Sequence, residues 1–145
     1  MAKRGVWAEI SLGALTSNLR AIRKKIAGGA KFCAVVKANA YGHGAIPVAQ
    51  EAVRAGADYL AVAVLEEAVA LRRAGFTTPI LLLGPTAAEE AEDVVRYDVT
   101  QAVTTEQAAK VLSAAALRQH KTVKVHLAVD TGMGRIGVEI GRAHV

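Results

Sequence analysis

The chain has 145 residues, 52% of them hydrophobic, which is enough for one domain with a packed core. The net charge is +5, but the positive residues are spread along the chain and only 4% of residues are aromatic, so nucleic-acid binding is not indicated. A single cysteine, Cys33, excludes an internal disulfide, no apolar run is long enough to span a membrane, and the four histidines lack zinc-ligand spacing. We therefore expect a cytoplasmic protein with no metal site.

Hydrophobic periodicity predicts helices and strands that alternate along the chain. The first element, residues 7–10, has the character of a short strand, and Ser11 can cap the helix that follows it. The later strands are predicted at residues 31–40, 59–65, 80–83, 99–103 and 123–130. The helices are predicted at residues 12–26, 45–55, 66–74, 87–97 and 105–119. This alternation is typical of a parallel α/β fold, and it does not by itself distinguish a barrel from an open sheet.

Lys37 stands inside the apolar strand 31–40, where a lysine is unusual. Alternation along the strand places it on the same side as Cys33, Val35 and Asn39, a side that is small and partly polar. Lys37 can therefore reach a pocket at the carboxyl end of the strand, where desolvation would lower its pKa and free the amine as a nucleophile or base. The alternative is a lysine whose stem lies along the strand end while its amine reaches solvent.

Two segments resemble signatures of one enzyme family. Residues 36–44, Val-Lys-Ala-Asn-Ala-Tyr-Gly-His-Gly, resemble the pyridoxal-phosphate lysine motif of bacterial alanine racemases. Residues 130–138, Asp-Thr-Gly-Met-Gly-Arg-Ile-Gly-Val, resemble a second signature of that family, in the family's order and spacing. The resemblance implies that residues 1–138 form the first five βα units of a (β/α)8 barrel. A whole barrel needs about 250 residues, so this chain is too short to close one.

The resemblance also implies a function, which is the interconversion of L-alanine and D-alanine with pyridoxal 5'-phosphate as cofactor, supplying D-alanine for peptidoglycan. The family's enzymes are homodimers. The residue that matches Lys37 binds the cofactor covalently and acts as general base on one face of the substrate. A tyrosine of the partner subunit, in a C-terminal domain absent from this sequence, serves the other face.

Two further residues match the family's cofactor and substrate contacts. Tyr41 matches a residue that bonds the cofactor phosphate, and the alternative is a packed aromatic after a strand. Arg135 matches the arginine that meets the substrate carboxylate and the cofactor's phenolic oxygen, and the alternative is a solvated loop arginine.

The neighbouring polar residues are expected to shape the two loops. Asn39 and His43 are expected to orient the turn after Lys37, and Asp130 to brace the glycine loop rather than take a proton. The sequence departs from the family at Ala128, where many members carry a carbamylated lysine that orients the arginine. We therefore expect a bound anion such as chloride, or water, to replace that contact beside Arg135, and racemisation to be less efficient.

Three other functions are compatible with the sequence. The chain could be a non-catalytic pyridoxal-phosphate-binding barrel protein, a racemase of broader amino-acid specificity, or a basic binding module without a cofactor. Whichever applies, the first and fifth strands would expose unpaired sheet edges that favour aggregation. The apolar side of the fifth strand is predicted to comprise Val123, Val125, Leu127 and Val129. We expect the 145-residue chain alone to be inactive in racemisation.

The last seven residues do not continue the family pattern. Residues 139–145, Glu-Ile-Gly-Arg-Ala-His-Val, are a possible translation of a common sequencing adapter, GAG ATC GGA AGA GCA CAC GTC, followed by the stop TGA. We expect this tail to be non-native. Sequencing the source genome across the codons after Val138 tests that expectation.

Overall fold

The computed structural model describes residues 5–26 and 28–140. Its helices are α1 Leu12–Lys25, α2 Ala45–Arg54, α3 Leu65–Arg73, α4 Ala91–Arg96 and α5 Glu106–Arg118. Its strands are β1 Cys33–Val35, β2 Tyr59–Val62, β3 Ile80–Leu82, β4 Val99–Val103, β5 Val125–Leu127, β6 Val129–Asp130 and β7 Val138–Glu139. A short left-handed helical turn at Lys37–Tyr41 follows β1, and a 3-10 turn at Ala88–Glu90 precedes α4. The predicted alternation of strands and helices is confirmed.

The largest departures from the predicted elements concern three strands. The strand predicted at 31–40 ends at Val35, and a tight turn follows it. Residues 7–10 form no strand, because no described strand lies beside them. The strand predicted at 123–130 divides into β5 and β6, and the pairing of β6 with β7 was not foreseen.

The first five strands form one parallel sheet in the order β1-β2-β3-β4-β5. This sheet is strongly curved. The ring centroids of Tyr59 on β2 and His126 on β5 are 6.2 Å apart, whereas strands three positions apart in a flat sheet are separated by about 14 Å. Curvature with this strand order is that of a partial barrel, as the resemblance implied.

The core lies between the outer side of the sheet and the helices. Alternate strand residues such as Leu60, Val62, Ile80 and Leu82 are fully buried in one cluster with helix residues such as Ala49, Ala68, Val94, Leu112 and Ala115. Burial of this alternate set is what directs the other set of strand side chains to the concave side.

β5 is the exception to this burial. Its outward side chains Val125 and Leu127 are 42% and 60% exposed, because no described helix follows β5 to cover them. β1 and β5 each pair with one neighbour only among the described residues, so both edges of the sheet are open. This agrees with the expected edge exposure.

None of the described helices has the length and apolar character that crossing a membrane requires. Residues 141–145, most of the tail expected to be non-native, lie outside the described residues.

Candidate functional site

The site is built at one edge of the sheet. Because all five strands are parallel, their carboxyl ends meet at the same edge, which is where barrel proteins place their functional loops. Lys37 follows β1 by two residues and is half-buried there. The glycine-rich loop of Arg135 follows β5 and β6 at the same edge.

The backbone after Lys37 is unusual. Four successive residues that are not glycine, Ala38, Asn39, Ala40 and Tyr41, have φ values of 50°, 54°, 51° and 54°. Such left-handed conformations cost about 1–2 kcal/mol per residue for side chains other than glycine. We call residues 37–41 the lysine turn. Strain of this kind persists only where surrounding contacts hold it, and it occurs preferentially at functional sites.

Hydrogen bonds to flanking elements hold the lysine turn. The Ala40 N–H donates to the carbonyl of Val36 at 2.9 Å. The Asn39 side-chain oxygen accepts from the N–H of Ala45 at 2.8 Å, which caps the start of α2. His43 Nδ1 lies 2.9 Å from the Ala40 carbonyl oxygen. These contacts agree with the expectation that Asn39 and His43 orient the turn.

A fourth anchor, Glu67 on α3, was missed by the sequence analysis. Its Oε1 accepts from the Ala38 N–H at 2.5 Å, and its Oε2 accepts from the N–H groups of Ala63 at 2.8 Å and Val64 at 3.4 Å. The only sequence signal was a glutamate in the first turn of a predicted helix, which indicates a capping role. Nothing local indicated a partner 29 residues away in the chain.

The loop around Arg135 is held mainly by Asp130. Asp130 Oδ1 accepts from the N–H groups of Gly132 at 2.8 Å and Gly134 at 3.1 Å. These bonds, with the Gly132 one foremost, lower the pKa of the Asp130 carboxyl, which stays charged at neutral pH. A carboxylate held in this way is suited to bracing the loop, as expected, and not to accepting a catalytic proton.

Gly137 closes the same loop by a close backbone approach. Its φ is 127°, and a Cβ there would lie 2.5 Å from the Asp130 nitrogen. The absence of a side chain lets β7 pair with β6, with Val138 beside Val129, and lets the Val138 N–H donate to the Ala128 carbonyl at 2.8 Å.

The three predicted site residues lie at one edge of the sheet, and no described hydrogen bond or ion pair joins them. Lys37 and Tyr41 share the lysine turn, and Tyr41 is 63% exposed along a groove of about 420 Å³ that it shares with Ser11 and Val35. Arg135 is exposed on its loop. Among the described residues no hydrogen bond or ion pair joins Arg135 to Lys37 or Tyr41, since β1 and β5 are at opposite ends of the sheet.

The donor set fits part of a pyridoxal-phosphate site. An amine that can bind an aldehyde, a phenol O–H that can donate to phosphate and a guanidinium that can pair with an anion are the groups such a cofactor requires. In the described part of the chain no residue bonds the Tyr41 hydroxyl, which leaves it available. Among the same residues no group of three or more His, Cys, Asp or Glu side chains could hold a metal ion.

Comparison with known proteins identifies the family. Residues 10–144 match the alanine racemase N-terminal domain. The chain belongs to this family. It is 53% identical over 135 residues to an alanine racemase of Desulfovibrio desulfuricans and 50% identical over 135 residues to one of Desulforamulus reducens, and each alignment covers 93% of this chain.

Solved alanine racemases show the same architecture. The enzyme of Clostridium difficile 630 superposes with a TM-score of 0.90 at 39% identity, covering 96% of this chain and 37% of that one. The enzyme of Streptomyces coelicolor A3(2) superposes with a TM-score of 0.84 at 40% identity, covering 90% and 35%. The chain therefore spans about a third of the length of the racemases it matches, and it has the partial barrel of their N-terminal domain.

Proposed function

We propose that this chain is the N-terminal part of a pyridoxal-phosphate-dependent alanine racemase, with Lys37 as the cofactor-binding lysine. The observation that carries the proposal is the lysine turn, which presents Lys37 at the carboxyl end of β1 in a family whose named relatives are alanine racemases. Under this proposal the whole protein supplies D-alanine for peptidoglycan, acts as a homodimer and is cytoplasmic.

Each residue then has a specific task. Pyridoxal phosphate, when bound, supplies the electron sink that makes the Cα proton of an amino acid acidic. The Lys37 amine takes that proton from one face of Cα or returns it. The Tyr41 hydroxyl donates to the phosphate, and the Arg135 guanidinium pairs with the substrate carboxylate. The charged Asp130 holds the loop that carries Arg135.

Ala128 stands where many members of the family carry a carbamylated lysine. Arg135 therefore lacks the carbamate partner that the resemblance implies. We propose that an anion such as chloride, or a water molecule, takes that place in the whole protein. Anomalous scattering from a crystal of the whole protein is expected to show an anion beside Arg135. If no anomalous peak is found beside Arg135, the proposed bound anion is contradicted.

A chimeric protein tests the racemase proposal. Residues 5–138 replace the matching segment of the Desulfovibrio desulfuricans alanine racemase, with which this chain is 53% identical. We expect the chimera to racemise alanine and the 145-residue chain alone to show no racemisation. A chimera that folds and binds cofactor without racemising alanine would instead favour the non-catalytic alternative, for which Ala128 is the supporting observation. Activity in the isolated chain would contradict its proposed inactivity.

A further inference from the structure

Glu67 joins the two loops that follow neighbouring strands. One carboxylate oxygen accepts from Ala38, in the lysine turn after β1, at 2.5 Å. The other accepts from Ala63 at 2.8 Å and Val64 at 3.4 Å, in the loop between β2 and α3. The side chain is half-buried, so water competes only partly for these three bonds.

The contact with Ala38 lies where the backbone φ changes from negative to positive values. Ala38 is the first residue with positive φ, and its N–H belongs to the peptide that joins it to Lys37. The Val36 N–H donates to the Ala61 carbonyl on the strand side of Lys37, and Glu67 holds the peptide that follows Lys37. The main chain is therefore anchored on both sides of the Lys37 Cα, which limits the directions that its side chain can take. The N–H groups of Ala40 and Gly42 donate instead to the carbonyls of Val36 and Ala38. Among the described residues 37–42, only the Ala38 N–H donates to a side chain.

We propose that Glu67 is a positioning residue for Lys37. Its carboxylate holds the Lys37–Ala38 peptide and so directs the Lys37 amine toward the edge of the sheet where the carboxyl ends of the strands meet. The inference rests on the proposed function of Lys37 as the lysine that carries pyridoxal phosphate. Glu67 touches neither cofactor nor substrate in this account.

The competing explanation is that Glu67 only caps α3. The chain offers a matched control for capping, because Glu90 Oε2 accepts from the Ala87 N–H at 2.8 Å, three residues earlier, just as Glu67 accepts from Val64. Glu90 has no described contact with the lysine turn. If Glu67 acted by capping alone, its variants and the Glu90 variants should lose comparable stability, and neither pair should change amide exchange at Ala38 beyond what that loss of stability explains.

The variants are Glu67→Gln and Glu67→Ala, with Glu90→Gln and Glu90→Ala as controls, all in the 145-residue chain. A glutamine offers one acceptor oxygen, so it cannot serve Ala38 and the Ala63–Val64 loop together. Glu67→Ala removes all three bonds. It therefore shows the full loss even if the amide in Glu67→Gln rotates and keeps the bond to Ala38.

Two readouts separate positioning from capping. The first is hydrogen exchange of the Ala38 amide by NMR, which we expect to be about tenfold faster in both Glu67 variants and unchanged in both Glu90 variants. The second is the ratio of pyridoxal phosphate attached at Lys37 to that at exposed Lys110, trapped with borohydride and located by peptide mass spectrometry. We expect that ratio to fall about tenfold in the Glu67 variants only.

The outcomes distinguish this inference from the proposed function. Equal exchange at Ala38 in Glu67→Ala and Glu90→Ala, or a faster exchange with an unchanged Lys37 to Lys110 ratio, overturns the positioning role. If the unsubstituted chain shows no preference for Lys37 over Lys110, the proposed cofactor lysine is contradicted. In that case faster Ala38 exchange in the Glu67 variants would still support the hold on the turn.

Discussion

The lysine turn and the glycine loop that carries Arg135 are held in different ways. The lysine turn is bonded to Val36 after β1, to Ala45 of α2 and to Glu67 of α3. The glycine loop is held by its own Asp130 and by the short β6–β7 ladder. The contacts that hold the proposed cofactor lysine are therefore contained in this chain. Among the described residues no hydrogen bond or ion pair holds the Arg135 side chain itself.

Replacement of Lys37 is expected to have the largest effect. In the chimeric racemase, Lys37→Ala should lower the racemisation rate by about 10²–10⁴-fold or more, because a general base contributes about that much. The rate is measured by circular dichroism of alanine. Lys110→Ala, on the exposed side of α5, is the control and should leave the rate unchanged. A chimera that retains full activity without Lys37 would remove the lysine turn from the mechanism.

Gly137→Ala should disturb the glycine loop and leave the lysine turn intact. The new Cβ would meet the Asp130 nitrogen, and φ of 127° is strained for alanine, so we expect a local cost of about 1–3 kcal/mol. Faster amide exchange at Val138 measures it, with exchange at Ala40 as the internal reference. Gly134→Asn is the milder control, since φ of 66° is a conformation that asparagine tolerates. Equal effects of the two variants would argue against the close approach at Gly137.

Asn39→Ala should weaken the lysine turn by a smaller amount. The variant removes the cap on the Ala45 N–H, which is worth about 1 kcal/mol, and places alanine at φ of 54°. Asn39→Gly loses the same cap but relieves the backbone, so it should be less destabilising. Chemical denaturation of the three proteins measures both differences. A glycine variant less stable than the alanine variant would contradict the assigned backbone strain.

The glycine loop should also depend on pH. Because hydrogen bonds lower the pKa of Asp130 in the folded chain, its contribution is present above the ordinary aspartate pKa of about 3.9 and is lost as the pH falls through the lower, folded value. The amide shifts of Gly132 and Gly134 should move together in that acidic range. Asp130→Asn should abolish this titration, whereas a titration that persists would assign it to another group.

Sequence patterns predicted most of the fold, because buried strands and amphipathic helices carry local signals. β2, β3 and β4 were predicted to within a few residues, and α5 begins after Thr105, whose side chain caps it. The end of β1 was overextended because apolar alternation continues through Ala40 while the backbone turns left-handed. Some of the contacts that hold this conformation come from residues distant in the chain, such as Glu67, and no local pattern reveals them.

The candidate site was predicted from motifs rather than from periodicity. Lys37 was found because a lysine in an apolar run is unusual, and Arg135 because its glycine-rich loop resembles a family signature. The β6–β7 ladder was missed because it depends on the close approach at Gly137, which is a three-dimensional constraint. The bracing role of Asp130 agrees with its two hydrogen bonds.

The position of trapped cofactor on the 145-residue chain is the most direct test of Lys37 as the cofactor lysine. The chain is incubated with pyridoxal phosphate, reduced with borohydride, digested and mapped by mass spectrometry. We expect the modified peptide to contain Lys37, in clear excess over any peptide containing exposed Lys110, and this excess to disappear on denaturation. Modification spread evenly over both lysines in the native chain would contradict the claim that the lysine turn is a cofactor site.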